Sequence, residues 1–369
     1  MIIGCPKEIK AFENRVALIP ATVKTLVDQG AVVLIESNAG VGSNISDQDY
    51  AQAGAQIKKS AQDVWEGADI ITKVKEPLEQ EFNFFRENQV IYTFLHLAAE
   101  PALTKALIDK KVTGIGYETI EENGQLPLLK PMSEVAGRMA VQVGAWCLES
   151  QHGGKGILLG GVPGVRRGRV VVLGAGVVGK NAAKIALGMG AEVCLIDINP
   201  ARLEEMDDLF QGRLQTLYAS SDNIANSVLS ADLLIGAVLI AGARAPHLVT
   251  RAMIQHMEKG SVVVDVAVDQ GGCIETVRRT MHDNPTYIQD GVVHYGVANM
   301  PGAVASTSTY SLSQATFPYL SLMAKLGVFK AAQQNLALRK GINTLRGFIT
   351  QKAVAEALGQ DYHDPAKII

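Results

Sequence analysis

Short apolar runs alternate with helical patterns in the first third of the 369-residue chain. The apolar runs lie at 32–35, 69–74, 90–94 and 113–116, and the helical patterns lie near 20–29, 47–54 and 101–110. Strands that alternate with helices are typical of a mainly parallel, doubly wound sheet. We therefore predict that residues 1–130 form an α/β unit of their own.

The same alternation returns in the middle of the chain, with apolar runs at 169–173, 192–197, 232–238, 261–267 and 292–297. Before these runs, Pro131 and Ser133 open a helical pattern that continues to Leu148, and Ser133 is a good N-cap. A glycine-rich passage follows at residues 152–165. Its composition fits both a flexible connector and a loop that lines a cleft, and does not choose between them. The C-terminal stretches 306–327 and 329–358 read as helices with little strand signal.

These patterns predict an α/β protein with two doubly wound domains. A central Rossmann domain, residues 131–303, is inserted in a Rossmann-like substrate domain made of residues 1–130 and 304–369. We expect the terminal helices to pack on the first domain and ligands to bind in a cleft between the two domains.

A glycine-rich turn follows the first strand of the central domain. Gly174, Gly176 and Gly179 have the G-x-G-x-x-G spacing, and the next strand ends in Asp197. The glycines permit a tight turn, close approach of a pyrophosphate and close packing of helix and strand, while the helix N-terminus favours an anion. An acid at the end of the second strand accepts hydrogen bonds from ribose hydroxyls and repels a 2′-phosphate. The pattern predicts an NAD site that includes Val177 and Val178 between the glycines.

Composition excludes several classes of protein. Hydrophobic residues make up 47% of the chain and charged residues 19%, which suits an enzyme with a well-buried core. The net charge of −3 gives no positive electrostatic field that would attract a nucleic acid. The four cysteines are scattered without a C-x-x-C pair and fit a reducing compartment. The N-terminus lacks a signal-peptide pattern, and the longest apolar stretch, 233–243, is about half of what a spanning helix needs. We predict a cytoplasmic protein that does not enter a membrane.

Basic and titratable residues occur near the predicted strand ends of the first domain. Arg15 leads an apolar run, Lys75 follows a strand together with Lys73, and His96 ends another strand. Ligands of open α/β sheets gather at the carboxyl ends of the strands, so the set is a candidate carboxylate anchor with an acid/base. Each residue alone is more often a solvated strand end or a satisfied structural residue.

Two acids occur in the apolar segment 261–272 of the central domain. Asp265 lies inside the strand, where a hydrogen-bonded structural acid is the better interpretation. Asp269 and Gln270 fall at its carboxyl end, and Asp269 is equally consistent with a turn residue and with a catalytic one.

Several longer motifs resemble the NAD-dependent alanine dehydrogenase family, and the similarity runs from the first residue nearly to the last. They are residues 1–20, Lys73-Val-Lys-Glu-Pro77, Thr93-Phe-Leu-His-Leu-Ala-Ala99, Pro131-Met-Ser-Glu-Val-Ala-Gly-Arg138, Gly160-Gly-Val-Pro-Gly164, Val266-Ala-Val-Asp-Gln-Gly-Gly-Cys273, Val297-Ala-Asn-Met-Pro301 and Thr307-Ser-Thr-Tyr310. The resemblance implies reversible oxidative deamination of L-alanine to pyruvate and ammonium with NAD, and a homohexamer.

The resemblance also implies roles for single residues. Arg15 and Lys75 match substrate-carboxylate ligands, and His96 and Asp269 match the acid/base pair. The matched cofactor contacts are Ser133, Asp197, Arg202, Val238, Leu239, Ala267, Val268, Gln270, Arg278, Val297, Ala298, Asn299 and Met300. Ala219 replaces a contacting serine of the family, and Ser220 lies beside it as the candidate. Some members hold a metal through a glutamate matching Glu118 and a later histidine, which is Leu326 here, so we predict no metal.

Three alternatives stay open at this stage. A related NAD-binding component of a proton-translocating transhydrogenase would deliver hydride to a partner subunit and would not need the Arg15, Lys75, His96 and Asp269 set. An oxidoreductase that makes secondary amines would need a pocket for a second amino acid. A non-catalytic NAD-binding regulator would make the polar residues at the strand ends a coincidence.

Overall fold

The computed structural model describes residues 1–238 and 246–369. The chain divides into two compact units, Met1–Met132 with Gly302–Ile369, and Ser133–Pro301. Each unit is built around one largely parallel sheet, which confirms the predicted fold class of two doubly wound α/β domains.

The N-terminal part of the first unit supplies six parallel strands. They are β1 (Ile2–Cys5), β2 (Val32–Glu36), β3 (Gln56–Lys58), β4 (Ile70–Thr72), β5 (Val90–Thr93) and β6 (Thr113–Gly116). The helices are α1 (Pro20–Asp28), α2 (Asp47–Gln52), α3 (Ala61–Gly67), α4 (Pro101–Asp109) and α5 (Lys130–Cys147), of which α5 continues into the second unit. Strands β4, β5 and β6 are buried at every position because helices and other strands cover both faces.

The second unit contains seven strands in the order β12-β13-β11-β10-β7-β8-β9, all parallel except β12. They are β7 (Arg169–Leu173), β8 (Glu192–Asp197), β9 (Gln215–Tyr218), β10 (Leu233–Gly236), β11 (Val262–Asp265), β12 (Thr286–Gln289) and β13 (Val292–Tyr295). The helices are α6 (Val177–Gly188), α7 (Pro200–Phe210), α8 (Ser221–Leu229) and α9 (Arg251–Gln255). Its core includes Val171, Leu234 and Val263 from three neighbouring strands.

The C-terminal part returns to the first unit with α10 (Ala305–Leu326), α11 (Val328–Gln334), α12 (Leu336–Lys340), β14 (Ile342–Leu345), β15 (Phe348–Ile349) and α13 (Lys352–Leu358). Helix α10 fixes the segment that carries Arg15, since the backbone N–H groups of Val16 and Ile19 donate to Thr309 Oγ1 and Ser313 Oγ. The first sheet has the order β15-β14-β6-β5-β4-β1-β2-β3.

The prediction of helix across 342–349 was wrong. Strand β14 pairs antiparallel with β6 and then with β15. Arg346 and Gly347, both with positive φ of 51° and 88°, make the tight turn between β14 and β15, as in two-residue hairpins. Short apolar runs do not separate strand from helix by periodicity, and here the free edge of β6 decides the outcome.

The predicted N-cap role of Ser133 was also wrong. Helix α5 begins at Lys130, so Ser133 lies within its first turn. Pro131 is the second helical residue, a position at which its missing N–H is not needed and its fixed φ favours the helix.

The glycine-rich passage is an ordered turn. A short antiparallel bridge joins Val162 to Val165, and the Gly168 N–H donates to the Leu159 carbonyl. The buried carboxylate of Asp232, which lies just before β10, accepts from Lys155, from both terminal nitrogens of Arg166 and from the backbone N–H of Arg169. This carboxylate therefore connects both ends of the passage to the second sheet.

Candidate active site

The predicted polar residues of the first unit lie on loops at one edge of its sheet. Arg15 follows β1, Lys75 follows β4 and His96 follows β5, so all three lie beyond the carboxyl ends of parallel strands. Strand order reverses between β1 and β4, since β2 and β3 lie on one side of β1 while β4, β5 and β6 lie on the other. Such a switch point is where ligands bind in doubly wound sheets.

Arg15 is a buried and firmly held cation. Its Nε and one terminal nitrogen donate to the two oxygens of Glu13 at 2.7 and 2.5 Å, and the Glu13 carboxylate also accepts the Arg15 backbone N–H at 3.1 Å. The other terminal nitrogen lies 3.1 Å from the sulfur of Met132. A paired fork of this kind fixes the orientation of the guanidinium.

Lys75 lies in a different electrostatic environment. Burial lowers the pKa of Lys75, and the positive charge of Arg15 lowers it further, against the opposite effect of Glu76. An added carboxylate would relieve this repulsion between two cations. Arg15 and Lys75 thus form a pair that favours an anionic ligand.

Lys73 is not part of this pair. It is fully buried, with its ammonium 2.9 Å from Glu81 and 3.3 Å from Glu8. Burial lowers the pKa of Lys73, but the two carboxylates outweigh this and raise it above the ordinary value of lysine. Glu8 also accepts the backbone N–H of Val74 at 2.6 Å, so this ion cluster anchors the loop that carries Lys75.

Two carboxylates contact His96. Its backbone has a positive φ of 52°, which is uncommon for a residue with a side chain. Glu118, just after β6, accepts the backbone N–H of His96 at 2.6 Å and that of Leu95 at 3.1 Å. Glu76 Oε2 lies 3.0 Å from His96 Nδ1, and the imidazole stacks on Phe94.

The other predicted set surrounds the glycine turn after β7. Gly174 has a φ of 101°, which only glycine adopts readily. A Cβ on Gly179 would collide with the Gly174 carbonyl, whereas a Cβ on Gly176 would meet nothing within 4 Å. Gly174 and Gly179 are therefore required by the fold, while Gly176 leaves open space over the N-terminus of α6, beside Val177 and Val178.

Asp197 lies at the end of β8, next to that turn. Its Oδ2 accepts the Ala175 N–H at 2.6 Å, and its Oδ1 accepts the Asn199 N–H at 2.8 Å. Asn199 in turn caps α7 through the N–H groups of Ala201 and Arg202. The carboxylate is thereby held beside the glycine turn.

Asp265 and Asp269 differ in burial: the first is a buried residue of β11 and the second is exposed in the turn after it. Asp265 is fully buried and accepts the backbone N–H groups of Ala267, Cys273 and Ile274, which confirms it as a hydrogen-bonded structural acid. Asp269 lies in a single 3-10 turn, Val268–Gln270, and is exposed. Its carboxylate oxygens lie 3.3 Å from the Asn299 N–H and 3.7 Å from Arg279 Nε.

Most other predicted cofactor residues follow strands of the second sheet at the same edge. Val238 follows β10, and Ser220 follows β9 and caps α8. The segment after β11 contains Ala267, Val268 and Gln270, and the segment after β13 contains Val297, Ala298, Asn299 and Met300. Arg202 is exposed on α7. Leu239 lies outside the described residues.

The remaining two cofactor candidates reach this edge in other ways. The Arg278 guanidinium lies 4.2 Å from the centre of the Tyr287 ring, and Thr280 bridges to Val297 so that this segment runs beside the end of β13. Ser133 lies on α5, one turn before Gly137, where a Cβ would collide with the carbonyl of Val178. Those predicted residues of the second unit that the structure describes thus lie around one sheet edge.

The sequence prediction missed Glu13, Glu76 and Glu118, although all three hold predicted site residues. Glu76 stands in the quoted motif beside Lys75, so its position was a signal that could have been used. The family resemblance relates Glu118 only to a metal ligand, and its contact with His96, 22 positions earlier, depends on the pairing of β5 with β6.

Comparisons with known proteins match the whole chain. The family described as alanine dehydrogenase/PNT, N-terminal domain, matches residues 4–136, and the C-terminal domain family matches residues 140–352. The alanine dehydrogenase of Methanococcus maripaludis is 56% identical over 100% of both chains, and that of Bacillus subtilis is 56% identical over 98% of this chain and 96% of its own.

Solved structures give the same result. An L-alanine dehydrogenase matches with a TM-score of 0.95 at 51% identity, covering 97% of this chain and 99% of its own. A transhydrogenase from Sinorhizobium meliloti matches with a TM-score of 0.82 at 28% identity, covering 96% and 100%.

The two sheets and the glycine turn place the chain in the class of two-domain α/β oxidoreductases with a Rossmann-like second unit. Within that class, the chain belongs to the alanine dehydrogenase/PNT family. In residues 1–238 and 246–369, no helix is long and apolar enough to cross a membrane.

Proposed function

We propose that the chain is an NAD-dependent L-alanine dehydrogenase that converts L-alanine reversibly to pyruvate and ammonium. The observation that carries the proposal is the edge of the first sheet, where two cations and an imidazole held by a carboxylate lie beyond neighbouring strand ends. Full-length relatives at 56% identity that are named alanine dehydrogenase support the same reaction. In this proposal, residues 1–130 with 304–369 bind substrate and residues 131–303 bind NAD.

The residues of the second unit fit a dinucleotide. The open space at Gly176 and the N-terminus of α6 suit a pyrophosphate, and the fixed Asp197 carboxylate suits ribose hydroxyls. An acid at this position disfavours a 2′-phosphate, so we propose NAD and not NADP. The bound nicotinamide supplies the acceptor for the hydride of the substrate α-carbon.

The first unit fits a small amino acid. Arg15 and Lys75 would bind the substrate carboxylate, since the charge of Arg15 lowers the pKa of Lys75 and an anion would offset this repulsion. Their rigid supports, Glu13 and the Lys73 ion cluster, would fix the α-carbon in one orientation. Alignment of this kind contributes to catalysis by lowering the entropy lost on the way to reaction.

His96 would move protons at the substrate nitrogen. The ammonium group must lose a proton before the α-carbon can release hydride, and an imidazole can accept it near neutral pH. The iminium that results is attacked by water, and the carbinolamine collapses to pyruvate and ammonium. Asp269 would orient that water or take its proton.

The oligomeric state and the cellular compartment are proposed from the family resemblance and the cysteine content. We propose a homohexamer, which the molar mass in solution tests. The described chain holds four free cysteines, all buried, which suits a reducing compartment such as the cytoplasm.

Initial rates with a panel of amino acids, each with NAD and with NADP, test the proposal. We expect fast reduction of NAD with L-alanine alone, and slow rates with NADP and with bulky amino acids. Catalysis only between two nicotinamide nucleotides would instead assign the chain to the transhydrogenase function.

His96→Ala and Asp269→Ala should each abolish alanine oxidation while NADH binding, measured by fluorescence, stays close to that of the wild type.

A further inference from the structure

Glu76 is a buried carboxylate with a basic partner on each oxygen. Its side chain is 3% exposed, with Oε2 at 3.0 Å from His96 Nδ1 and Oε1 in contact with Lys10 Nζ. The imidazole itself is 42% exposed. Among the residues that the structure describes, His96 Nδ1 has Glu76 as its hydrogen-bond partner and Nε2 has none.

We propose that Glu76 is a positioning residue for His96, which holds the proton of the neutral imidazole on Nδ1 and leaves Nε2 as the atom that accepts the substrate proton. The inference rests on the proposed function, because it assigns a geometry to the same acid/base. A carboxylate accepts hydrogen bonds only, so a neutral imidazole facing it must donate from Nδ1. Carboxylates orient histidines in this way in catalytic triads and in metal sites.

Glu76 is suited to this role because it stays ionised. Burial raises the pKa of Glu76, but the hydrogen bonds to His96 and Lys10 and the charge of Lys75 outweigh burial and leave the pKa well below its ordinary value. The carboxylate is therefore ionised in the neutral range, where alanine oxidation is measured. When Nε2 takes a proton, this charge stabilises the imidazolium that forms.

The other charged groups near the imidazole come from three loops. Lys10 on the loop after β1 contacts the far oxygen of Glu76, and Lys75 precedes Glu76 in the chain. Glu118 after β6 contacts the backbone N–H of His96, while the neighbouring Arg15 is paired with Glu13. Glu76 is the only one of these groups with a recorded hydrogen bond to the imidazole ring in the described part of the chain.

Glu76→Gln tests the role, with Glu76→Asp as the variant that keeps the charge and Glu79→Gln as the control. Glu79 is an exposed carboxylate in the same segment. For Glu76→Gln we expect kcat for alanine oxidation to fall about 100- to 10,000-fold, as when the orienting acid of a triad is replaced by its amide. KM for NAD should change less than about twofold, because NAD is assigned to the other unit.

The pH dependence of kcat/KM distinguishes a loss of His96 orientation from a general loss of structure in the Glu76 variants. Without the carboxylate, the imidazolium loses its stabilising charge, so the acidic limb of kcat/KM should move to lower pH in Glu76→Gln. Glu76→Asp should keep that limb in place with a smaller loss of kcat. Wild-type rates and pH profile in Glu76→Gln would overturn the inference. If Glu76→Gln does not fold, an acidic limb that moves in the charge-keeping Glu76→Asp variant would overturn it.

A second readout does not depend on turnover. Diethylpyrocarbonate acylates neutral imidazole, and mass spectrometry of the peptide carrying His96 gives the labelling rate at each pH. We expect this profile to move to lower pH in Glu76→Gln and to stay unchanged in Glu79→Gln. A loss of kcat with an unchanged labelling profile would overturn the inference, while absence of alanine oxidation in the wild type would refute the proposed function instead.

Discussion

Lys73 and Lys75 are separated by one residue in the loop after β4, yet their surroundings move their pKa values in opposite directions. Two carboxylates raise the pKa of Lys73, whereas burial and Arg15 lower that of Lys75. Residue type alone therefore does not distinguish Lys73, which anchors its loop, from Lys75, the proposed carboxylate ligand. The distinction comes from Glu8 and Glu81, which contact Lys73.

The unfavourable charge of Lys75 predicts a gain in stability when it is removed. A lysine whose pKa is lowered by folding destabilises the folded state in the neutral range, and the effect disappears as the pH rises toward its ordinary value. Lys75→Met should raise the free energy of unfolding of the ligand-free protein by about 1 kcal/mol at pH 7 and by less at pH 10.

The same substitution should weaken substrate binding. KM for L-alanine should rise about 10- to 100-fold in Lys75→Met, the equivalent of one hydrogen bond between charged groups. Urea unfolding and initial rates measure the two effects, and the exposed Lys24→Met is the control. A less stable Lys75→Met protein with an unchanged KM would contradict the assignment.

Glu118 predicts a coupled loss of stability and rate. Its carboxylate accepts the backbone N–H groups of Leu95 and His96 and supports the positive φ of His96. Glu118→Ala should lower the free energy of unfolding by about 1–3 kcal/mol, because backbone donors lose their partner, and should lower kcat at least tenfold.

Glu118→Gln should recover part of both losses, since its amide oxygen accepts the same hydrogen bonds. Glu121→Ala, at a half-exposed carboxylate paired with Lys340, is the matched control. A Glu118→Ala protein that is destabilised but turns over L-alanine at the wild-type rate would refute the link between this backbone contact and His96.

At the scale of elements, the turn between β7 and α6 contains two glycines that the fold requires and one, Gly176, that it does not. Gly174 adopts a positive φ, and a Cβ on Gly179 would collide with backbone. Gly176 has an ordinary φ of −72° and open space around it. Packing within the second unit thus gives no reason for glycine at position 176.

Gly176→Ala should therefore fold normally and bind NAD poorly. We expect an unchanged melting temperature without ligand and an NADH affinity lower by about 10- to 100-fold, the equivalent of the 1–3 kcal/mol that an added methyl costs in a packed site. Gly188→Ala, in open space on the same helix, should raise stability by about 0.5–1 kcal/mol and leave NADH affinity unchanged. Unaltered NADH binding in Gly176→Ala would refute the proposed pyrophosphate site.

Elements with a strong pattern were predictable, and elements defined by their partners were not. The predicted segments 169–173 and 192–197 coincide with β7 and β8, because each contains a run of four apolar residues that is followed by a glycine or an acid. Strands β14 and β15 were read as helix because their place depends on the free edge of β6. Sequence periodicity carries no information about that edge.

At the scale of the whole molecule, topology explains why part of the candidate site was predictable. Lys75 and His96 are predictable because polar residues after parallel strands converge at one edge, and the sheet order places them there. Arg15, which the sequence marks only as a basic residue leading an apolar run, lies at the same edge because it follows β1. Their partners Glu13, Glu76 and Glu118 were missed because a carboxylate on a loop resembles any solvated residue in sequence. Which cation or N–H group it meets is decided by tertiary contacts.

Asp232 predicts how stability depends on pH. Burial raises the pKa of Asp232, but Arg166, Lys155 and the Arg169 N–H outweigh burial and lower it. A carboxyl whose pKa is lowered by folding stabilises the protein above its unfolded-state value, and the contribution is lost as the pH falls through the folded-state value. Asp232→Asn should therefore lower the free energy of unfolding at pH 7 by about 2 kcal/mol, since Arg166 and Lys155 lose their partner.

The difference between wild type and Asp232→Asn should shrink below about pH 4, where the unfolded carboxylate takes up its proton. Urea midpoints from pH 7 to pH 3 measure this, with Asp109→Asn as the control at an exposed ion pair on α4 that should change stability by less than about 0.5 kcal/mol. Because Asp232 connects the glycine-rich passage to β10, proteolysis within 156–168 should accelerate in Asp232→Asn at pH 7. A pH-independent loss of stability would show that the ion cluster acts through packing and not through charge.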